Sequence, residues 1–128
     1  LASNQMIILS RQIKGEGRGH KVGFPTINLA VSPDLVLEDG IYAVWVVIND
    51  VTYKGALHYG PIPTFGQKDK TMEVHLLDVT DSNAPDTEGV EIEVDVVSLL
   101  RGVRTFSSAE ELALQIDLDV KNVRLILK

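Results

Sequence analysis

This chain predicts a mainly β fold, a small antiparallel barrel with helices packed on its side, and three observations carry that expectation. Short apolar runs of strand character recur from Met6 to Val96, clusters of turn residues separate them, and helical periodicity starts only after Ser107. With 128 residues, 45% of them hydrophobic, the chain reads as one domain, 1–128, able to bury a core without disulfides.

The elements follow in order. Residues 5–14 read as a first strand, apolar at Met6 to Leu9, that leads into a glycine-rich segment. Ile41 to Ile48 is apolar on both alternating faces, as in a strand buried on both sides, and Asn49-Asp50 turns it into a partner strand, Thr52 to Tyr59. Gly60-Pro61-Ile62-Pro63 reads as a connection, because proline lacks the ladder donor. Residues 71–79 resume a strand in which Met72, Val74 and Leu76 face the core, with Glu73, His75 and Leu77 opposite, toward a cleft or water. After a polar loop, 80–89, the run Val90 to Val96 alternates strictly, so Val90, Ile92, Val94 and Val96 face a core. Ser107-Ser108-Ala109-Glu110 fits a capping box at Ser107. Ala109, Leu112, Ala113 and Ile116 then share a helix face, and a second short helix is expected from about Leu118 to Leu127, making a helical hairpin.

Composition excludes several classes of function. With no cysteine, disulfides, thiolate metal sites and cysteine nucleophiles are impossible. The longest apolar run, Ile41 to Ile48, is too short to span a bilayer and the first residues lack the order of a signal peptide, so a soluble cytoplasmic protein with no membrane partner is expected. A net charge of −6 argues against nucleic acid as a partner. Residues 1–70 carry seven Lys/Arg against six Asp/Glu and residues 71–128 five against twelve, so an anionic ligand belongs with the first half.

That half holds the most distinctive segment, Gly15-Glu16-Gly17-Arg18-Gly19-His20-Lys21-Val22-Gly23-Phe24-Pro25-Thr26-Ile27-Asn28-Leu29. Glycines let backbone N–H groups approach an anion, and Arg18 and Lys21 add positive charge, which is a phosphate-binding composition. It is neither a Walker A sequence nor a dinucleotide fingerprint, and a solvated hairpin loop has the same composition. Thr26 and Asn28 leave an extended segment on one face, where their oxygens can converge on a hard cation.

Taken as a set, five segments resemble the riboflavin kinase (flavokinase) family over nearly the whole chain: 17–29, Asp39-Gly40-Ile41-Tyr42-Ala43-Val44, Pro63-Thr64-Phe65-Gly66, Met72-Glu73-Val74-His75-Leu76, and Leu100 to Phe106 with Glu110-Glu111-Leu112. The resemblance implies a six-stranded antiparallel Greek-key, or split, β-barrel. It also implies transfer of the ATP γ-phosphate to the ribityl 5′-hydroxyl of riboflavin, giving FMN and ADP with a divalent metal, usually Mg2+. Gly15, Gly17, Arg18, Gly19, His20, Lys21, Gly23, Pro25 and Thr26 would bind the nucleotide, Thr26 and Asn28 the metal, and Arg101, Val103, Arg104 and Phe106 the flavin, with Glu73 as catalytic base. In many bacteria this module follows an N-terminal FAD synthetase domain, so a longer parent chain is a further expectation.

The residues taken alone keep other readings open. Glu73 is equally an exposed strand carboxylate, His75 a structural histidine, His20 a solvated one, and Arg101 and Arg104 two surface cations. Trp45 is expected in core packing. Ile27 stands where the family usually has alanine, and strand alternation would turn it to the core, opposite Thr26 and Asn28. His58-Tyr59-Gly60-Pro61-Ile62 replaces a usual Asn-Ile-Gly-x-Arg. The alternative function is a catalytically weak relative that binds flavin or nucleotide as a sensor or store, and a barrel used only for protein contacts is a third.

Overall fold

The computed structural model describes residues 6–13, 25–61, 70–80 and 82–128. Six antiparallel strands, β1 (Met6–Arg11), β2 (Thr26–Leu29), β3 (Gly40–Ile48), β4 (Val51–Pro61), β5 (Lys70–Leu76) and β6 (Glu91–Arg101), precede one helix, α1 (Ala109–Ile126). The spatial order is β1-β6-β3-β4-β5-β2. Within it β3, β4 and β5 form a meander and β6 returns beside β3, which is the Greek-key arrangement.

Both edge strands meet where the sheet curls round. Gln12 bridges Leu29, the Ile13 N–H donates to the Asn28 carbonyl at 2.8 Å, and the Ala30 N–H donates to the Arg11 carbonyl at 2.9 Å. This seam gives the edges partners, as a barrel must. Asn49 (φ 50°) and Asp50 (φ 66°) both sit in the left-handed region, so the β3–β4 hairpin turns as its Asn-Asp pair requires.

Strand parity builds the interior. Val44, Val46, Leu57, Val74, Ile92 and Val94 are fully buried on the inner face and fill the barrel with side chains. Gly55 has the same parity, and a Cβ there would stand 3.0 Å from Val74 Cγ2 and 3.1 Å from Val46 Cγ2, so only glycine fits without repacking.

On that outer face Ala43 and Ala56 lie opposite each other and make a flat floor on which Ile116, Val120, Val123 and Leu127 of α1 pack, with Leu77 beside them. Trp45 is half-buried at the border of this second cluster rather than inside the barrel. Leu77 likewise lies under α1 and not in a cleft.

Two expectations at the C-terminus need correction. No helical hairpin forms: α1 runs unbroken from Ala109 to Ile126. No Gly or Pro interrupts Asp117-Leu118-Asp119, and Ile116, Val120, Val123 and Leu127 continue one stripe at four- and three-residue steps. The cap is Ser108, not Ser107; its hydroxyl accepts the Glu111 N–H at 3.1 Å, while Ser107 Oγ donates to Glu111 Oε2 at 2.6 Å. The sequence contains two overlapping Ser-x-x-Glu frames, and the helix uses the later one. Strand ends also differ: β4 extends through Pro61, β5 stops at Leu76 and β6 continues to Arg101.

Candidate functional site

Antiparallel register sets the polar groups of the outer face in a row. Asn28 on β2 lies opposite Glu73 on β5, Glu73 opposite His58 on β4, His58 opposite Ile41 on β3, and Ile41 opposite Arg101 on β6. The next row along places Thr26 opposite His75 and His75 opposite Ala56, at the edge of the floor under α1. Directly opposed residues share a face, so Thr26, Asn28, Glu73, His75 and His58 form one polar patch beside the helix. Ile27 and Leu29 point the other way into the core, as alternation requires.

Glu73 and His75 are two residues apart on β5 and touch: His75 Nε2 lies 3.4 Å from Glu73 Oε1, with only 18% of the Glu73 side chain and 12% of the His75 side chain exposed. Most of the Glu73 side chain is thus shielded from solvent, yet it retains an open side. His58, also half-buried, has its pKa lowered chiefly by burial; Glu73 opposes that shift, whereas His75 and Arg101 add to it. The lowered pKa favours the neutral imidazole of His58 beside the carboxylate over a fixed cation.

β6 reaches the patch through two bulges, between its pairings with Ile41/Tyr42 and Ala43/Val44, which bend the strand end toward α1. Gly40 permits the approach: a Cβ there would lie 2.8 Å from the Arg101 carbonyl oxygen. Arg101 then forks onto Asp119 of α1, Nε to Oδ1 at 2.9 Å and Nη2 to Oδ2 at 2.8 Å. Arg104 Nη1 donates to Gln115 Oε1 at 2.7 Å, and the Phe106 ring lies 6.0 Å from the Arg101 guanidinium and 5.2 Å from that of Arg104. Val103 sits beside Gly60, whose φ of 147° suits glycine alone.

Of the residues singled out from sequence, Thr26, Asn28 and Glu73 are brought together, Pro25 is buried at the entry to β2 with its carbonyl accepting the Leu76 N–H at 3.1 Å, and Arg101, Val103, Arg104 and Phe106 gather where β6 leads into α1. Gly15, Gly17, Arg18, Gly19, His20, Lys21 and Gly23 lie outside the described residues, as does Pro63-Thr64-Phe65-Gly66. Sequence reasoning missed Gln115 and Asp119. Their signal was available: a carboxylate flanking the apolar stripe of α1, one turn after a glutamine.

Thr26 and Asn28 offer neutral hard oxygens on one face. Among the described residues no group of three or more His, Asp or Glu could hold a metal ion alone. Two neutral hard oxygens fit a hard divalent cation such as Mg2+ better than a softer metal. Among the described residues no helix is long and apolar enough to cross a membrane.

The family model for riboflavin kinase, Flavokinase, matches residues 3–127. The chain is 34% identical over 118 residues to an RNA-binding riboflavin kinase of Bacillus subtilis (strain 168), which covers 91% of this chain and 49% of that protein. It is 32% identical over 125 residues to the bifunctional riboflavin kinase/FMN adenylyltransferase of Escherichia coli (strain K12), covering 97% of this chain and 39% of the relative. Among solved structures, riboflavin kinase from Trypanosoma brucei superposes with a TM-score of 0.70 at 20% identity over 98% of this chain and 82% of that one, a likeness of fold. The chain thus spans about half the length of the first of these curated relatives, 49%, and less of the second, 39%.

Proposed function

The chain belongs to the riboflavin kinase family, and from that premise we propose that it transfers the γ-phosphate of ATP to the ribityl 5′-hydroxyl of riboflavin, giving FMN and ADP. The observation that carries the reading is the register of β2 against β5, which sets Asn28 opposite Glu73 with Thr26 on the same face. A carboxylate beside a pair of hard oxygen donors is what transfer of a phosphoryl group to an alcohol requires.

Glu73 acts as the general base. A primary hydroxyl barely ionises near neutral pH, so the carboxylate accepts its proton as the oxygen attacks phosphorus and the bond to the leaving ADP oxygen breaks. His75, 3.4 Å away, orients that carboxylate. Thr26 and Asn28 would hold the Mg2+ that accompanies ATP. When bound, the ion supplies neutralisation of phosphate charge. The segment Gly15 to Gly23, with Arg18, His20 and Lys21, leads directly into Pro25-Thr26 and is assigned to the nucleotide phosphates, while Val103, Arg104 and Phe106 are assigned to the flavin. RNA binding, which the name of one relative states, is a property of that protein; here the excess of acidic residues from 71 to 128 opposes a polyanion.

Chromatography with fluorescence detection, following FMN from riboflavin and MgATP, tests the reading in wild type and Glu73→Gln. Wild-type turnover with a roughly 10²–10⁴-fold loss in the variant, and unchanged nucleotide affinity, is expected. Saturable riboflavin binding without FMN would make the chain a flavin-binding relative instead, and equal turnover in the variant would remove Glu73 from the mechanism.

A further inference from the structure

Each side-chain nitrogen of Arg101 already holds a hydrogen bond, and together these use three of its five N–H groups. Its Nε and Nη2 are committed to the two oxygens of Asp119 at 2.9 and 2.8 Å, and its Nη1 donates to the Gly102 carbonyl at 3.0 Å. Asp119 is only 4% exposed, and one helical turn before it Gln115 ties the rest of the segment down. Gln115 Nε2 donates to Asp119 Oδ1 at 3.1 Å while its Oε1 accepts from Arg104 Nη1 at 2.7 Å. One amide and one carboxylate on successive turns of α1 therefore hold both arginines of the segment 101–106, and Phe106 lies against both guanidinium groups.

This network is separate from the apolar contact of the helix with the barrel. Docking belongs to Ile116, Val120, Val123 and Leu127 on the alanine floor, whereas Gln115 and Asp119 reach the 101–106 segment from the flank of that stripe. A bidentate, nearly buried ion pair contributes little net stability over an apolar pair, but it fixes one geometry.

We infer that Gln115 and Asp119 are positioning residues that hold residues 101–106 in the shape that receives the flavin, and that Arg101 serves this clamp and is not itself a flavin ligand. The inference rests on the riboflavin kinase reading. Arg104, exposed and, among the described residues, hydrogen-bonded to the uncharged amide of Gln115 rather than to a carboxylate, is the cation of the segment that remains able to meet the substrate.

The test compares Asp119→Asn, Asp119→Ala, Gln115→Ala and Arg101→Ala with wild type by riboflavin fluorescence quenching, by the KM for ATP, and by amide hydrogen exchange. Riboflavin affinity is expected to fall roughly tenfold in the Asp119 and Arg101 variants, with the ATP KM within about twofold, as for loss of preorganisation at one subsite. Arg101→Ala combined with Asp119→Ala is expected to bind riboflavin no worse than either alone, because the two act as one unit. In the absence of ligand, amides 102–106 should exchange faster in Asp119→Asn while those of β3 and β4 keep their protection. Unchanged exchange at 102–106, or a far larger loss in Arg101→Ala than in Asp119→Ala, overturns the clamp. A wild-type chain whose exchange behaves as expected in the variants but which binds no riboflavin overturns the kinase reading and, with it, the purpose assigned to the clamp.

Discussion

Glu73 owes its setting to parity. Met72 and Val74 on either side are buried in the barrel, so alternation alone sends the carboxylate outward, and register then places Asn28 and His58 on its two flanks. The first step was legible in the chain; the second was not, because no local signal in 26–29 or 58 says which strand will pair with β5. His58 was visible only as a departure from a motif, whereas in the fold it becomes the neighbour of Glu73 across β4 and β5. Its depressed pKa has a stability consequence. The folded state binds the proton less readily than the unfolded chain, so the contribution of neutral His58 is complete above the ordinary value of 6.5 and is lost as pH falls through that value toward the lowered one. Thermal denaturation of His58→Gln from pH 5 to pH 8 should therefore show a flatter acid limb than wild type; a curve parallel to wild type would mean that His58 titrates alike in both states.

Elements were read better in their existence than in their ends. The hairpin at Asn49-Asp50 and the core-facing Ile92 and Val94 followed from turn chemistry and period, both of which are local. The single helix was misread as two because Asp117 and Asp119 interrupt the hydrophobic run, and only the tertiary partner of Asp119, Arg101, explains an acid at that place. The cap is a prediction at this scale. Ser108→Ala removes the acceptor of the Glu111 N–H and should cost about 0.5–2 kcal/mol in urea denaturation, whereas Ser107→Ala should cost less, since it loses only an exposed side-chain bond. Equal costs would restore the earlier capping frame. Gly40→Ala is the corresponding test of the β3–β6 approach: the added methyl meets the Arg101 carbonyl, so the bulged end of β6 must shift and riboflavin affinity should fall, whereas unaltered affinity would show that this end of β6 is not tightly placed.

Across the whole molecule the division of labour is between a filled inside and a working outside. Inner side chains of five strands interlock with no exposure, which makes the barrel a rigid frame; Leu57→Ala should destabilise it by about 2–5 kcal/mol in denaturant unfolding, and a cost under about 1 kcal/mol would mean that the interior collapses to refill the space. The outer face then uses that frame three times: β2 and β5 present Thr26, Asn28 and Glu73, β4 adds His58, and β6 with α1 carries the segment 101–106. Strand count and Greek-key order were legible through the family resemblance, but the closure of the seam at Gln12 and Leu29 was not, since it joins two edge strands through single contacts that no pattern announces.

The proposed phosphoryl transfer needs Thr26 and Asn28 at a metal-bound nucleotide. The measurement that meets this most directly is the rate of FMN formation from riboflavin and ATP as Mg2+ is titrated, in wild type and in Asn28→Ala. Turnover in wild type that vanishes without the metal, and that in Asn28→Ala is either lost or recovered only at much higher Mg2+, is the expected result. FMN formed by Asn28→Ala with the wild-type dependence on Mg2+ would contradict it.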